Sequence, residues 1–140
     1  MARWNAVGFF CEDIRQEMNN VDTLVGVMPD NVAIGKKVPG LIPKLGIYVR
    51  VHLEPDYEVK NITLTADFFN GKHRQILGVF KEEEIVRERD LAKKRGAKLL
   101  GFISRATLTP VPIPEHGKVF LFANVDGDEI ICGGLSFVEA

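Results

Sequence analysis

Two dipeptides, Asn70-Gly71 and Asp126-Gly127, constrain this chain more than any other feature. A two-residue hairpin turn needs positive φ at its central positions, which Asn-Gly and Asp-Gly reach at the least steric cost. Each pair lies between runs rich in β-branched and aromatic side chains, so antiparallel strands are expected on both sides. The cleanest strand lies elsewhere. Leu45, Ile47, Val49, Val51 and Leu53 alternate with Lys44, Gly46, Tyr48, Arg50 and His52, the period of a strand with one face in a core and one toward water.

Further strands follow from the same pattern. Trp4 to Cys11 reads as the first, Thr23 to Met28 as the second, Tyr57 to Phe69 and His73 to Phe80 as the pair around Asn70-Gly71, and Leu99 to Thr109 as a later one. The segment from Asn31 to Pro43 reads as an irregular connection. Pro110-Val111-Pro112-Ile113-Pro114 lacks a donor at every second residue, which keeps it out of a central ladder and predicts an extended edge or loop segment. The last hairpin, Val119 to Val125 and Asp128 to Val138, is apolar on both faces and is expected at the centre of a sandwich with cover on its outer side. From Lys81 the period changes. Glu82, Glu83 and Glu84 open a helix that Lys93, Lys94 and Arg95 close and Gly96 terminates. Its thin apolar stripe, Ile85, Val86, Leu91 and Ala92, predicts a surface helix separable from the core. The fold expected is one domain over residues 1–140: an antiparallel β-sandwich of seven to eight strands, immunoglobulin- or C2-like, with one surface helix inserted at about 81–96.

The chain has 140 residues, enough for a real core without metal or disulfide support. Eighteen basic and nineteen acidic side chains leave a net charge of −1, so no global field draws it to nucleic acid or an anionic membrane. The apolar stretch after Met1 ends at Cys11-Glu12-Asp13, too short and too quickly acidic for a signal peptide or a membrane span. A soluble, cytoplasmic protein is expected, with no nucleic-acid or membrane partner.

Chemistry-bearing motifs are sparse. His52, His73 and His116 lack metal-ligand spacing, so no metal and no cofactor is expected. Gly35-Lys36 lacks the rest of a phosphate-binding loop, Gly133-Gly134 the context of a dinucleotide site and Ser136 the second glycine of a nucleophile elbow. Asp126, Asp128 and Glu129 surround one turn but lack the other positions of a calcium loop, which favours turn acids over an ion site. Cys11 and Cys132 read as two buried thiols, and Glu12 and Asp13 would raise the Cys11 pKa rather than activate it. A disulfide between them stays formally open. The charged stretch Glu12-Asp13-Ile14-Arg15-Gln16-Glu17 is the one candidate for a site. Its carboxylates either pair internally with Arg15 or Arg50, or face a ligand or partner together with Arg15, Arg50 and His52.

Phe10-Cys11-Glu12-Asp13-Ile14-Arg15-Gln16-Glu17, then Thr23-Leu24-Val25-Gly26-Val27, then Leu41-Ile42-Pro43-Lys44-Leu45, together resemble a family of small uncharacterised bacterial and phage proteins, a domain of unknown function. Asn124-Val125-Asp126-Gly127-Asp128-Glu129 is similar to the end of those proteins. Lys81 to Arg95 falls outside the resemblance and reads as an insertion. The resemblance implies a self-contained domain in a bacterial or prophage setting and transfers no catalytic residue. Two functions are therefore expected in order: a non-enzymatic binding or assembly module, forming a homo-oligomer or meeting a protein partner, and then a small-molecule binder or small enzyme built around Glu12, Asp13 and Arg15.

Overall fold

The structure, a computed structural model, describes residues 3–33, 38–69, 71 and 73–139. Among the described residues the strands are β1 (Trp4–Gln16), β2 (Asp22–Val27), β3 (Asn31–Ala33), β4 (Gly40–Ile42), β5 (Leu45–Leu53), β6 (Asn61–Phe68), β7 (His73–Lys81), β8 (Leu100–Leu108), β9 (Val111–Ile113), β10 (Gly117–Val125) and β11 (Asp128–Val138). One helix, α1 (Glu82–Arg95), joins β7 to β8. The first sheet runs β2-β1-β5-β8 and the second β3-β11-β10-β6-β7, with a small β4-β9 ribbon at one end. The chain is thus mainly β and sandwich-like. Its strand order does not reproduce that of an immunoglobulin domain, because the first, second, fifth and eighth strands share one sheet.

Eight of the strands are six residues or longer, and three have three residues. The short ones lie where connections are expected from the sequence. β3 adds parallel to β11, and β4 pairs with β9, so Pro112 sits in a two-stranded ribbon, where a missing donor breaks no central ladder. β1 is longer than its apolar run, since β2 supplies backbone partners as far as Gln16 and the charged side chains simply project from a continuing ladder. Gly35-Lys36 lies outside the described residues.

Both turn signals lie in hairpins, in different ways. Asp126 and Gly127 have φ of 50° and 91° and close the β10–β11 hairpin as a two-residue turn. Between β6 and β7 the last paired residues are Phe68 and His73, and between them Phe69 has φ 55° and Gly71 83°. Asn70 lies outside the described residues.

One core fills the space between the sheets. β5 contributes Leu45, Ile47, Val49, Val51 and Leu53, and β10 contributes Val119, Leu121, Ala123 and Val125. The sheets approach closest where β1 passes β11. A Cβ on Gly8 would stand 2.5 Å from Leu121 Cδ1, and one on Gly133 3.0 Å from both that methyl and the Gly8 carbonyl oxygen. Gly133-Gly134 therefore has a packing role, Gly133 admitting the opposite sheet and Gly134 lying beside the Phe120 ring.

The last hairpin differs from its expected surroundings. Phe120 and Phe122 point away from the core and remain partly exposed, and the helix does not lie over them. α1 instead covers one end of the seam where edge strands β7 and β8 of opposite sheets meet. It also contributes to the core, whereas the thin stripe read from the sequence predicts a helix apart from it. Ile85 is fully buried in the common core, Arg89 donates to the carbonyls of Pro55 and Tyr57, and Ala92 is buried, one stripe at i, i+4 and i+7. Val86 and Leu91, assigned to that stripe from sequence, are exposed. Gly96 ends the helix at φ 66°.

Two predictions follow from this packing. Ile85→Ala should cost about 2–5 kcal/mol in denaturant unfolding, as buried large-to-small changes do, whereas Phe122→Ser, on the outer face, should leave a folded protein. Gly133→Ala should cost about 1–3 kcal/mol by overpacking against the Gly8 backbone, and Leu121→Ala should couple to it in a double-mutant cycle, since the two sites share one contact.

Candidate functional site

The charged stretch of β1 forms a paired tip. Asp13 meets Lys44 Nζ at 2.6 Å and Arg15 at 3.9 Å, and accepts the Ile14 N–H. The Lys44 hydrogen bond, helped by its charge, by Ile14 and by Arg15, holds the Asp13 carboxyl below the usual range against partial desolvation. Glu12 points to the other side of the strand, packing against Gly26, where φ is 65° and a Cβ would stand 2.8 Å from the Glu12 side chain. Arg50 lies opposite Val7, six residues back along β1 or about 20 Å of strand. His52, next to it on the outer face, is pushed down in pKa by burial and then by the Arg50 charge. The structure thus brings Asp13, Arg15 and Lys44 together and leaves Arg50 and His52 elsewhere. Lys44 is the member that sequence reasoning missed; its outward place in the alternating run was the available signal, while the register that sets it near Asp13 is seen only in the structure.

The hairpin tip bends across the first sheet. Arg105 on β8 reaches Asp22 at 2.8 Å, and Ile14 lies 3.1 Å from the Cβ position of Gly46. This cover explains why Cys11 and Tyr48, on an outward face, are buried. Both cysteines are free. Burial, more than the Asp13 charge, raises the Cys11 pKa, and burial pushes Cys132 up to about 11. Neither is activated for nucleophilic attack.

The turn acids each hold backbone or a neighbour. Asp126 accepts the N–H groups of Lys60 and Asn61, Asp128 accepts from the Trp4 indole at 3.1 Å, and Glu129 pairs with Arg74 and Asn124.

Beside hollows at the start of α1 and around Glu12, Leu41 and Lys44, two further places among the described residues stand open. On the outer face of the second sheet one row crosses four strands: Ile131, Phe122, Thr65 and Ile76 are successive cross-strand partners. Ile131 is 59% and Ile76 65% exposed. Arg74 lies along the row, its guanidinium 4.7 Å from the Phe122 ring centroid and 3.1 Å from both Thr65 Oγ1 and Glu129 Oε2. In the next row Asp67 has a buried carboxylate oxygen without a donor among the described residues. On the first sheet Val7 and Phe9 are also exposed, but Arg50 and Arg105 flank them.

The second place is a cleft of about 630 Å³ at the end of the β7–β8 seam that α1 leaves uncovered, lined by Phe68, Phe69, His73, Gln75, Leu108 and Pro110, Pro112 and Pro114 among others. Its walls are mostly apolar and its volume lies within the range of small-molecule sites.

No protein-family model matches the chain, and no curated protein sequence matches it either. Among the described residues no helix is long and apolar enough to cross a membrane.

The Asp13–Lys44 pair gives a direct test of the tip. A carboxyl with a lowered pKa keeps its pairing at neutral pH and loses it as pH falls through that lowered value. Lys44→Ala should move the Asp13 titration upward, read by carboxyl-carbon NMR, while Arg50→Ala should leave it in place.

Proposed function

We propose that the chain is a non-enzymatic binding and assembly module, cytoplasmic and of bacterial or prophage origin, that associates through the outer face of its second sheet. The observation that carries this reading is the Ile131–Phe122–Thr65–Ile76 row. Apolar side chains scattered singly over a surface need no explanation. Ile131, Phe122 and Ile76 instead stand in one row, with the nearly buried Thr65 between Phe122 and Ile76 and the Arg74 guanidinium over the Phe122 ring. Such a row favours cover by another surface. The bacterial or prophage setting is supported by the motif resemblance at residues 10–17, 23–27 and 41–45.

A second copy of the chain is the occupant this face suits best. An isologous interface must be self-complementary. The row ends in an isoleucine on each side, so a copy turned about an axis parallel to the strands sets β7 over the other β11 and lays Ile76 against Ile131. Arg74 and Glu129 already neutralise each other across the row, so closure would not strand either charge alone. Exposed as it is, that pair contributes little to the stability of the single chain.

Sedimentation over a concentration series tests the reading. The wild type should form dimers, and Ile76→Glu with Ile131→Glu should give a monomer of unchanged far-UV circular dichroism. A wild type that stays monomeric at every concentration, or a dimer insensitive to both substitutions, would overturn it.

A further inference from the structure

We propose that the cleft between the ends of β7 and β8 is a binding site for an uncharged, largely apolar small molecule carrying one or two hydrogen-bonding groups. The inference rests on a mismatch between position and chemistry. His73 and Gln75 are partners of Phe68 and Ala66, both core-facing, so they too stand on the inward side of their strand. An inward position normally carries an apolar residue. Here the two polar side chains lie across from Leu108, on β8, and line open space instead of closing the sandwich. Gln75 makes no side-chain hydrogen bond to another described residue. A local departure from core patterning that leaves polar groups aimed into an apolar cavity is what a binding site requires and a packed end of a sandwich does not.

The lining sets the class of ligand. Phe68 and Phe69 form one wall, their ring centroids 6.4 Å apart, and His73 stands 6.0 Å from Phe68, all tilted rather than parallel. Phe69 is held inward from a left-handed backbone, φ 55°, and packs on Phe137 at 5.9 Å. The rings make a corner for an apolar body instead of a slot between parallel faces. Among the described lining residues no lysine, arginine or carboxylate faces the cleft, so nothing there offsets the desolvation of an ion. His73, Gln75 and Thr109 offer hydrogen bonds to hydroxyl, carbonyl or amide groups.

This site is separate from the outer-face row, so the two readings stand or fall independently. Nile red, a neutral apolar dye, serves as the probe, with anilinonaphthalene sulfonate as its anionic counterpart. Nile red should bind saturably at one per chain. Gln75→Trp, which fills the cleft from β7, should weaken it by at least about tenfold, a difference well outside the error of a titration. Ile76→Glu with Ile131→Glu should leave it unchanged. If Gln75→Trp does not fold, Leu108→Trp fills the same space from the other strand. Non-saturable binding, affinity unchanged by the filling variant, or loss of binding in the outer-face variant would each overturn the site. Tighter binding of the anionic dye than of Nile red would overturn the ligand class.

Discussion

The sandwich depends on a point of contact where side chains are missing. Gly8 on β1 and Gly133 on β11 let the sheets approach until Leu121 Cδ1 fills the gap between them. Interiors are packed to crystal density, so no adjustment elsewhere could make room for a Cβ at little cost. The β1–β11 approach in turn sets how far apart the sheets stand at their other edge, where β7 and β8 meet. There Ser104 Oγ donates to the Leu77 carbonyl at 3.0 Å, and Phe80 packs on Phe102 with ring centroids 5.2 Å apart. From that seam the structure diverges. One end is covered by α1 through Ile85; the other opens into the cleft.

Local periodicity made much of the fold legible. The alternation from Leu45 to Leu53, the positive-φ turn at Asp126-Gly127 and the charge polarity of α1 each state a preference that the tertiary structure does not override. Pairing was less legible. β3 and β4 have three residues each, too few to carry a period, and they form because β11 and β9 offer them an edge. β1 passes through Glu12-Asp13 because β2 continues beside it, a relation that no single segment contains. The stripe of α1 was misread for a related reason. Arg89 belongs to its buried side through two carbonyl partners in the 54–57 loop, and a scale that counts only apolar side chains passes over such a residue.

The candidate sites divide the same way. Clustered charge drew the reading of the sequence to Glu12, Asp13 and Arg15, yet Asp13 pairs with Arg15 and Lys44, while Glu12 packs on Gly26. The acids around Asp126 behave likewise, fixing strand ends and the Trp4 indole. Charge concentrated near a strand end here maintains structure. The open features are apolar and spread over distant segments: Ile76 and Ile131 belong to different hairpins, and the cleft draws on residues from 68 to 114. A linear reading finds His73 and Gln75 unremarkable on an edge strand. Only their register opposite Phe68 and Ala66 shows that they face inward.

Edges also bear on how copies of this chain can meet. An unpaired edge strand is a template for another chain, and natural sheets interrupt it. β7, the edge next to the cleft, carries an extra residue at Leu77 whose carbonyl is taken by Ser104. β2, an edge of the first sheet, is broken by the left-handed Gly26 packed on Glu12. β3 is three residues long and stands against β11 alone. With these edges bulged, twisted or short, strand addition is disfavoured. Association through a face is not, because the outer side of β11-β10-β6-β7 offers side chains rather than an open backbone edge. The same hydrogen bonding that completes the sheet thus leaves the apolar row as the surface on which a second copy would gain most.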